Sequence, residues 1–145
     1  MPNESVTQKT AFFSKVQTIP LIFLAEMWKE VDPEFVREAL EKGSFQIIDL
    51  RTPPEYERHH IPGALLIPVQ LMGSLVHKVK KDIPTVFVCE HANRSTVACM
   101  VFGHMFQELY NMKGGMEKWL NLGFEVKRGM DEGGNAWRSY LNDAE

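Results

Sequence analysis

Cysteine is scarce in this chain of 145 residues: there are only two, Cys89 and Cys99, and they do not form a Cys-x-x-Cys pair. Two thiols cannot build the disulfide framework that stabilises many small secreted domains. The sequence also shows no secretory signal pattern at its start. We therefore expect a protein without disulfides in a reducing, cytoplasmic environment.

Long hydrophobic runs and an excess of basic charge are missing as well. The most apolar run, Ile19 to Ala25, is much shorter than the roughly 20 residues that cross a bilayer, and Glu26 ends it. The net charge of -3 at pH 7 gives no general attraction to nucleic acid or to an anionic membrane. We expect a soluble protein with neither nucleic acid nor membrane as a partner.

The length of the chain suits one domain with extensions at both ends. Residues 1–30 are loosely patterned but rich in large apolar side chains, so we expect this N-terminal extension to dock. Residues 31–128 form the predicted domain, and residues 129–145 form a C-terminal extension with a flexible, glycine-rich connection and a short helix. Trp137 and Leu141 either pack back on the domain or, with the N-terminal extension, form a homodimer contact or shield the functional site.

Strand and helix patterns alternate along the predicted domain. Apolar runs bounded by turn residues predict strands at 45–50, 65–67, 85–88 and 110–112. Apolar spacing and capping residues predict helices at 32–43, 71–79, from Arg94 onward, and at 116–121. The helix that starts near Arg94 is apolar on most sides, so we expect it to be buried. Alternation of this kind predicts an α/β fold with a mostly parallel sheet and helices on both faces.

Cys89 is the most informative residue of the chain. It follows the predicted strand 85–88 and precedes a short polar loop that leads into a helix near Arg94. Unpaired N–H groups at a helix N-terminus and a neighbouring guanidinium both stabilise a thiolate. In parallel sheets, ligands bind beyond the carboxyl ends of the strands, where Cys89 lies. The sequence therefore predicts that Cys89 is a nucleophile.

Several motifs in order resemble the single-domain form of the rhodanese family of sulfurtransferases. They are Asp49-Leu50-Arg51, Pro54-Glu55-Tyr56, His60-Ile61-Pro62-Gly63-Ala64, the Cys89 to Ser95 loop, Gly114-Gly115-Met116, and Trp119 with Gly123. The match spans about Asp32 to Val126. The resemblance implies a central parallel sheet, of five strands, and a catalytic cysteine at position 89.

What the resemblance implies chemically is sulfur transfer of the thiosulfate:cyanide type. Cys89 attacks the outer sulfur of a donor such as thiosulfate, releases sulfite, and passes the sulfur to cyanide or a cellular thiol. The expected partners are such small molecules or a protein sulfur carrier, and we expect no cofactor. By the same resemblance, Asp49 and Arg51 order the loop through hydrogen bonds, although a structural ion pair at the strand end explains them equally well.

The physical logic of the loop does not depend on the family. A persulfide carries negative charge on its outer sulfur, and backbone amides that curl around it donate hydrogen bonds to that charge. The planar fork of Arg94 suits an oxyanion on the donor. The predicted substrate-binding residues are Glu90, His91, Ala92, Asn93, Arg94 and Ser95.

Two other functions remain open. A phosphatase or arsenate reductase also uses a cysteine and an arginine, but such loops place five residues between them, whereas four separate Cys89 from Arg94. A non-catalytic binding or regulatory module could keep the same fold, because fold alone does not establish activity. The retained Cys89 and Arg94 favour the enzyme.

Two departures from the usual loop affect the donor. Ala92 stands where the family most often has glycine, which is costly if the residue needs a positive φ. Glu90 follows the cysteine, and a carboxylate there disfavours a thiolate and repels dianionic thiosulfate unless its side chain points outward. We therefore expect weak use of thiosulfate and better use of a persulfide or protein-bound donor.

The remaining candidates have simpler explanations. His59 and His60 are adjacent but lack further ligands at metal spacing, so no metal is predicted and His60 is expected to support a turn. Cys99 lies in an apolar helical stretch and is expected to be a buried hydrophobe instead of a resolving thiol. Trp119 is expected in the core, and His91 to contact substrate or point into water.

Overall fold

The computed structural model describes residues 27–143, so most of the predicted N-terminal extension lies outside the described residues. The strands are β1 (Lys29–Val31), β2 (Gln46–Asp49), β3 (Leu65–Leu66), β4 (Thr85–Val88) and β5 (Leu109–Met112). The α-helices are α1 (Pro33–Lys42), α2 (Pro53–Arg58), α3 (Met72–Leu75), α4 (Asn93–Phe102), α5 (Gly115–Asn121) and α6 (Ala136–Asn142). Short 3-10 turns flank α3, follow α4 and precede α6. No helix within residues 27–143 is long and apolar enough to span a membrane.

The five strands form one parallel sheet in the order β1-β5-β4-β2-β3, which confirms the predicted fold class. The edge strand β1 was not predicted, because three residues are too few to show an alternating pattern. The chain leaves β2 toward β3 on one side and later returns to β4 on the other. The topological switch point therefore lies between the carboxyl ends of β2 and β4, where such sheets bind ligands.

Successive strand residues point to opposite faces and build two cores, one on each face of the sheet. On one face, Ile48 and Phe87 pack with buried residues of α3 and α4. On the other face, Ile47 and Val86 pack with α1, α2 and α5, including Trp119, which is 1% exposed. Helices therefore cover both faces, and the prediction that Trp119 is a core residue is confirmed.

The first helix shows how local sequence sets the boundaries. Asp32 has extended backbone angles and Pro33 begins α1, where a missing N–H costs nothing. Gly43 ends the helix in the left-handed region, with φ +75°, and its amide donates to the carbonyls of Ala39 and Leu40. The prediction of a short helix between Asp32 and Gly43 is confirmed.

Helix α4 differs from the sequence prediction of a helix buried on most sides. Its buried residues are the small Ser95, Ala98 and Cys99, and Phe102 packs against the same core. Val97, Met100 and Val101 lie on the outer face and are 57%, 42% and 49% exposed. A helix that is apolar all round gives no periodic signal for which side faces the core, so its sequence predicted burial on too many sides.

The C-terminal segment also differs, because the glycine-rich connection is fastened to the domain. The carboxylate of Asp131 accepts hydrogen bonds from the Tyr56 hydroxyl at 2.8 Å and from the Gly134 amide at 2.9 Å, and lies 2.8 Å from His60 Nε2. Trp137 of α6 packs against both cores, while Leu141 is 42% exposed. Of the two apolar residues of this segment, Trp137 is thus the one that packs back on the domain.

Candidate active site

Cys89 lies directly after the central strand β4, at the switch point between β2 and β4. Its side chain is buried, with the residue 1% exposed. The Ser95 amide donates a hydrogen bond to Cys89 Sγ at 3.2 Å, and Ser95 Oγ lies 3.4 Å from the same sulfur. The loop therefore closes on the sulfur, as the sequence predicted, and its last amide already interacts with it.

The back of this loop rests on the start of α5. The amides of Met116 and Glu117 donate to the carbonyl oxygens of Cys89 and Glu90, at 2.8 and 3.1 Å. In a trans peptide the N–H points opposite to the C=O. The two peptide N–H groups that follow those carbonyls therefore point away from α5.

Gly115 makes this close support possible. A Cβ at Gly115 would lie 2.4 Å from the carbonyl oxygen of Glu90 and 2.5 Å from that of Cys89, and its φ is +62°. Only glycine tolerates both the contact and the left-handed backbone without strain. The Gly114-Gly115-Met116 motif is thereby explained as the place where one backbone presses on another.

Ala92 takes the left-handed conformation that the sequence analysis suspected. Its φ is +71°, and it is the one non-glycine residue with a positive φ among residues 27–143. The Ala92 carbonyl accepts from the Thr96 amide at 3.2 Å and from Thr96 Oγ1 at 2.6 Å, which holds the turn at the start of α4. The strained turn is thus fixed by the helix that follows it.

The loop amides are left available by this arrangement. Within residues 27–143, the amides of residues 90 to 94 have no protein acceptor. Asn93 and Arg94 begin α4, where the first amides of a helix lack intrahelical partners. The loop therefore presents a set of N–H groups beside a sulfur atom, which suits a small anion.

Arg51 connects the end of β2 to this loop. The guanidinium is buried and donates to both carboxylate oxygens of Asp49, to Glu90 Oε1 at 3.1 Å and to the His59 carbonyl at 2.7 Å. Burial alone would lower the pKa of Arg51, but its bonds to Asp49, with the charge of Glu90, raise it above the usual value. The Glu90 carboxylate, which would disfavour a thiolate if it faced the sulfur, is thus turned to Arg51.

Arg94 is paired with Glu55 of α2. Its two terminal nitrogens donate to the two carboxylate oxygens at 2.9 Å each, a bidentate geometry. These bonds lower the pKa of Glu55 to about 2, against the opposing effect of burial, and raise that of Arg94.

The other predicted loop residues are at the surface. The His91 side chain is 57% exposed and its Nδ1 lies 2.9 Å from Glu117 Oε1. Asn93 is exposed. The carboxylates around the loop are paired: Glu117 with His91, Asp49 and Glu90 with Arg51, and Glu55 with Arg94.

Cavities of substrate size lie elsewhere. One of about 470 Å³ lies beside β3 and the C-terminal segment, lined by Leu65, Asp131 and Ala136 among others. Another, of about 190 Å³, lies at the start of β1 and β5. Neither is lined by any residue between 89 and 95. The loop that holds Cys89 is therefore separate from both of these cavities.

Three further predictions concern side chains outside the loop. Both ring nitrogens of His60 are engaged, by the Tyr56 carbonyl and by Asp131, in keeping with support of a turn. Cys99 is 0% exposed, which confirms its prediction as a buried residue, and burial raises the pKa of its thiol. No cluster of three or more metal-ligating side chains is found between residues 27 and 143.

Sequence reasoning missed the role of Glu55. The residue was noted only as part of a motif, although Thr52-x-x-Glu55 is a visible capping box in which Thr52 N donates to Glu55 Oε1 at 2.9 Å. Its second contact, with Arg94, joins residues 39 positions apart. Helical spacing cannot reveal a pair at that separation.

Comparison with known proteins gives a consistent family. A family model described as a rhodanese-like domain matches residues 32–122. The thiosulfate sulfurtransferase GlpE of Pseudomonas aeruginosa PAO1 is 31% identical over 100 residues, which cover 68% of this chain and 90% of that protein. The protein of the same name from Pseudomonas syringae is 30% identical over 93 residues, with 63% of this chain and 87% of the relative covered.

Solved structures agree at the level of the fold. A rhodanese-related protein from Thermoplasma volcanium superposes with a TM-score of 0.65 at 20% identity, covering 69% of this chain and 98% of that one. A rhodanese-like domain protein from Staphylococcus aureus gives a TM-score of 0.62 at 25% identity, with 70% and 99% covered.

Proposed function

The chain belongs to the rhodanese-like domain family, and from that premise we propose that it is a sulfurtransferase in which Cys89 carries sulfur as a persulfide. The supporting observation is the contact between the Ser95 amide and Cys89 Sγ, in a loop whose other amides have no acceptor among residues 27–143. Such N–H groups stabilise a thiolate and, after transfer, the charge on the outer sulfur.

The chemical steps follow from nucleophilic substitution at sulfur. The Cys89 thiolate attacks the outer sulfur of the donor, a new S–S bond forms, and the donor's S–S bond breaks with its electron pair on the leaving group. An acceptor thiolate or cyanide then attacks the outer sulfur of the persulfide, and Cys89 leaves as a thiolate. Two substitutions replace one direct transfer.

The preferred donor is a persulfide, either of a small thiol or on a protein sulfur carrier, and thiosulfate is used weakly. Cys89 is 1% exposed, so a narrow terminal sulfur reaches it more easily than one that carries a sulfonate close behind. Thiosulfate also needs a cation for its sulfonate, and the arginine of the loop, Arg94, is paired with Glu55. The acceptor is a thiol or cyanide.

The test is sulfur loading followed by intact mass spectrometry. The protein is incubated in turn with thiosulfate, 3-mercaptopyruvate and glutathione persulfide, and the gain of one sulfur atom is measured. We expect loading by glutathione persulfide, its loss in Cys89→Ser, and its retention in the matched control Cys99→Ala. Added cyanide should release thiocyanate and restore the original mass.

The negative result is equally clear. If no donor loads the wild-type protein, or if Cys89→Ser still gains sulfur, the proposed function is wrong. The fold would then serve as a non-catalytic binding module. If thiosulfate loads the protein faster than glutathione persulfide, the donor assignment is wrong while the sulfurtransferase assignment stands.

A further inference from the structure

Arg94 precedes Ser95, whose amide contacts the sulfur of Cys89, and its guanidinium is already paired with a carboxylate of the protein. Arg94 directs both terminal nitrogens at the two oxygens of Glu55, each at 2.9 Å. A sulfonate or sulfite would need the same planar fork, because it too binds guanidinium through two oxygens. Glu55 and an oxyanion therefore compete for one group.

The Glu55 side chain is fixed in place by hydrogen bonds from Thr52, which favours its bonds to Arg94 over those of an oxyanion. Glu55 is the third residue of α2, where its Oε1 also accepts from Thr52 N at 2.9 Å and Thr52 Oγ1 at 3.1 Å. The side chain is 21% exposed and that of Arg94 35% exposed, so the pair is partly shielded from water. Since the pKa of Glu55 is about 2, the carboxylate stays charged at any pH used for an assay.

Building on the proposed function, we propose that Glu55 is a positioning residue that holds Arg94 away from the donor and so selects against donors with an oxyanion head. In the reaction with thiosulfate, the S–S bond breaks and sulfite leaves with the electron pair and two negative charges. A free Arg94 would stabilise that leaving group. With a persulfide donor the leaving group is a thiolate, which makes no use of the guanidinium fork.

The test replaces the carboxylate by its neutral isostere. Glu55→Gln keeps an acceptor for the Thr52 amide, since glutamine also serves in a capping box, but no longer neutralises Arg94. Because Arg94 is then free to bind the sulfonate, we expect the ratio of kcat/KM for thiosulfate to that for glutathione persulfide to rise about tenfold, which corresponds to about 1.4 kcal/mol. Because the guanidinium would bind the sulfonate and also stabilise the sulfite as it leaves, the change should appear both in KM and in kcat for thiosulfate. The ratio is unaffected by any loss of folded protein.

The matched control is Glu117→Gln. This substitution also removes a carboxylate beside the loop, where Glu117 pairs with the exposed His91, but it frees no guanidinium. We expect its donor ratio to stay within about twofold of wild type, because exposed pairs have small effects. If Glu117→Gln raises the ratio as much as Glu55→Gln, general charge explains the selectivity and the proposal is wrong. An unchanged or lower ratio in Glu55→Gln also overturns it.

A binding measurement separates this proposal from the proposed function. Sulfite is titrated by calorimetry into two proteins, the variant Cys89→Ser and the double variant Cys89→Ser with Glu55→Gln, so that no transfer occurs in either. We expect sulfite to bind about tenfold more tightly to the glutamine variant. Equal affinities reject the role of Glu55 even if the enzyme transfers sulfur. Tighter binding supports that role even if no donor loads Cys89.

Discussion

The contact at Gly115 allows a quantitative test of how the loop is supported. In Gly115→Ala, a left-handed φ of +62° costs alanine about 1–2 kcal/mol. The new Cβ would also lie 2.4–2.5 Å from two carbonyl oxygens, so α5 must move and weaken the bonds from Met116 and Glu117, at about 1 kcal/mol each. A less flexible unfolded chain offsets about 0.5–1 kcal/mol of this. We expect a net loss of about 3 kcal/mol.

Gly123→Ala is the control for backbone strain alone. Gly123 has a φ of +75°, but a Cβ there would meet no atom within 4 Å. We expect a loss of about 1 kcal/mol from the left-handed backbone, after the same unfolded-state correction. Urea unfolding of the three proteins gives the free energies, and sulfur loading of folded protein shows whether the loop amides remain aligned. Equal stabilities for the two variants, or full loading by Gly115→Ala, would refute this account of the support.

Two further variants test the loop and its pair. Ala92→Gly should raise the free energy of unfolding, measured in urea, by about 0.5–1 kcal/mol. Relief of the backbone strain at a φ of +71° stabilises the folded state by more than the added unfolded-state entropy costs. A lower free energy of unfolding would show that Ala92 is not strained. Because its pKa falls from 4.5 to about 2 on folding, Glu55 stabilises the fold above pH 4.5, and this contribution is lost as the pH falls toward 2. Between pH 7 and pH 2, the melting temperature of Glu55→Gln should therefore fall less than that of the wild type. If the two melting temperatures fall by the same amount, this contribution of Glu55 is refuted.

The sheet and the cysteine loop could be predicted because both depend on local patterns. The run 45–50 and the strand Thr85–Val88 are short apolar segments between turn residues, and Cys89 follows one of them directly. The edge strand β1 was missed because Lys29 and Glu30 are exposed and its pairing partner is far away in sequence, in β5. Patterns report local burial well and distant pairing poorly.

The backbone of the loop and the charged contacts of the site were predicted only in part. A positive φ at position 92 was suspected from the family pattern, and the structure has it. The ion pair between Asp49 and Arg51 at the strand end was anticipated, and the structure has it. The distant partners could not be predicted, because Arg94 binds a residue of α2 and Arg51 reaches Glu90 across the switch point. Those pairs depend on how the strands are ordered, which becomes known only with the topology.

Asp131 has a consequence for how the protein comes apart. The family match ends at residue 122, and Asp131 lies nine positions beyond that limit. Even so, Asp131 bonds to buried groups of Tyr56 and His60. Removing the tail would leave the Tyr56 hydroxyl with the Ala64 carbonyl as its one remaining protein partner in the described chain, and His60 Nε2 with none. Together with the packing of Trp137 on both cores, these bonds lead us to expect that the C-terminal segment unfolds with the domain, so a chain shortened to the family boundary should unfold at a lower temperature.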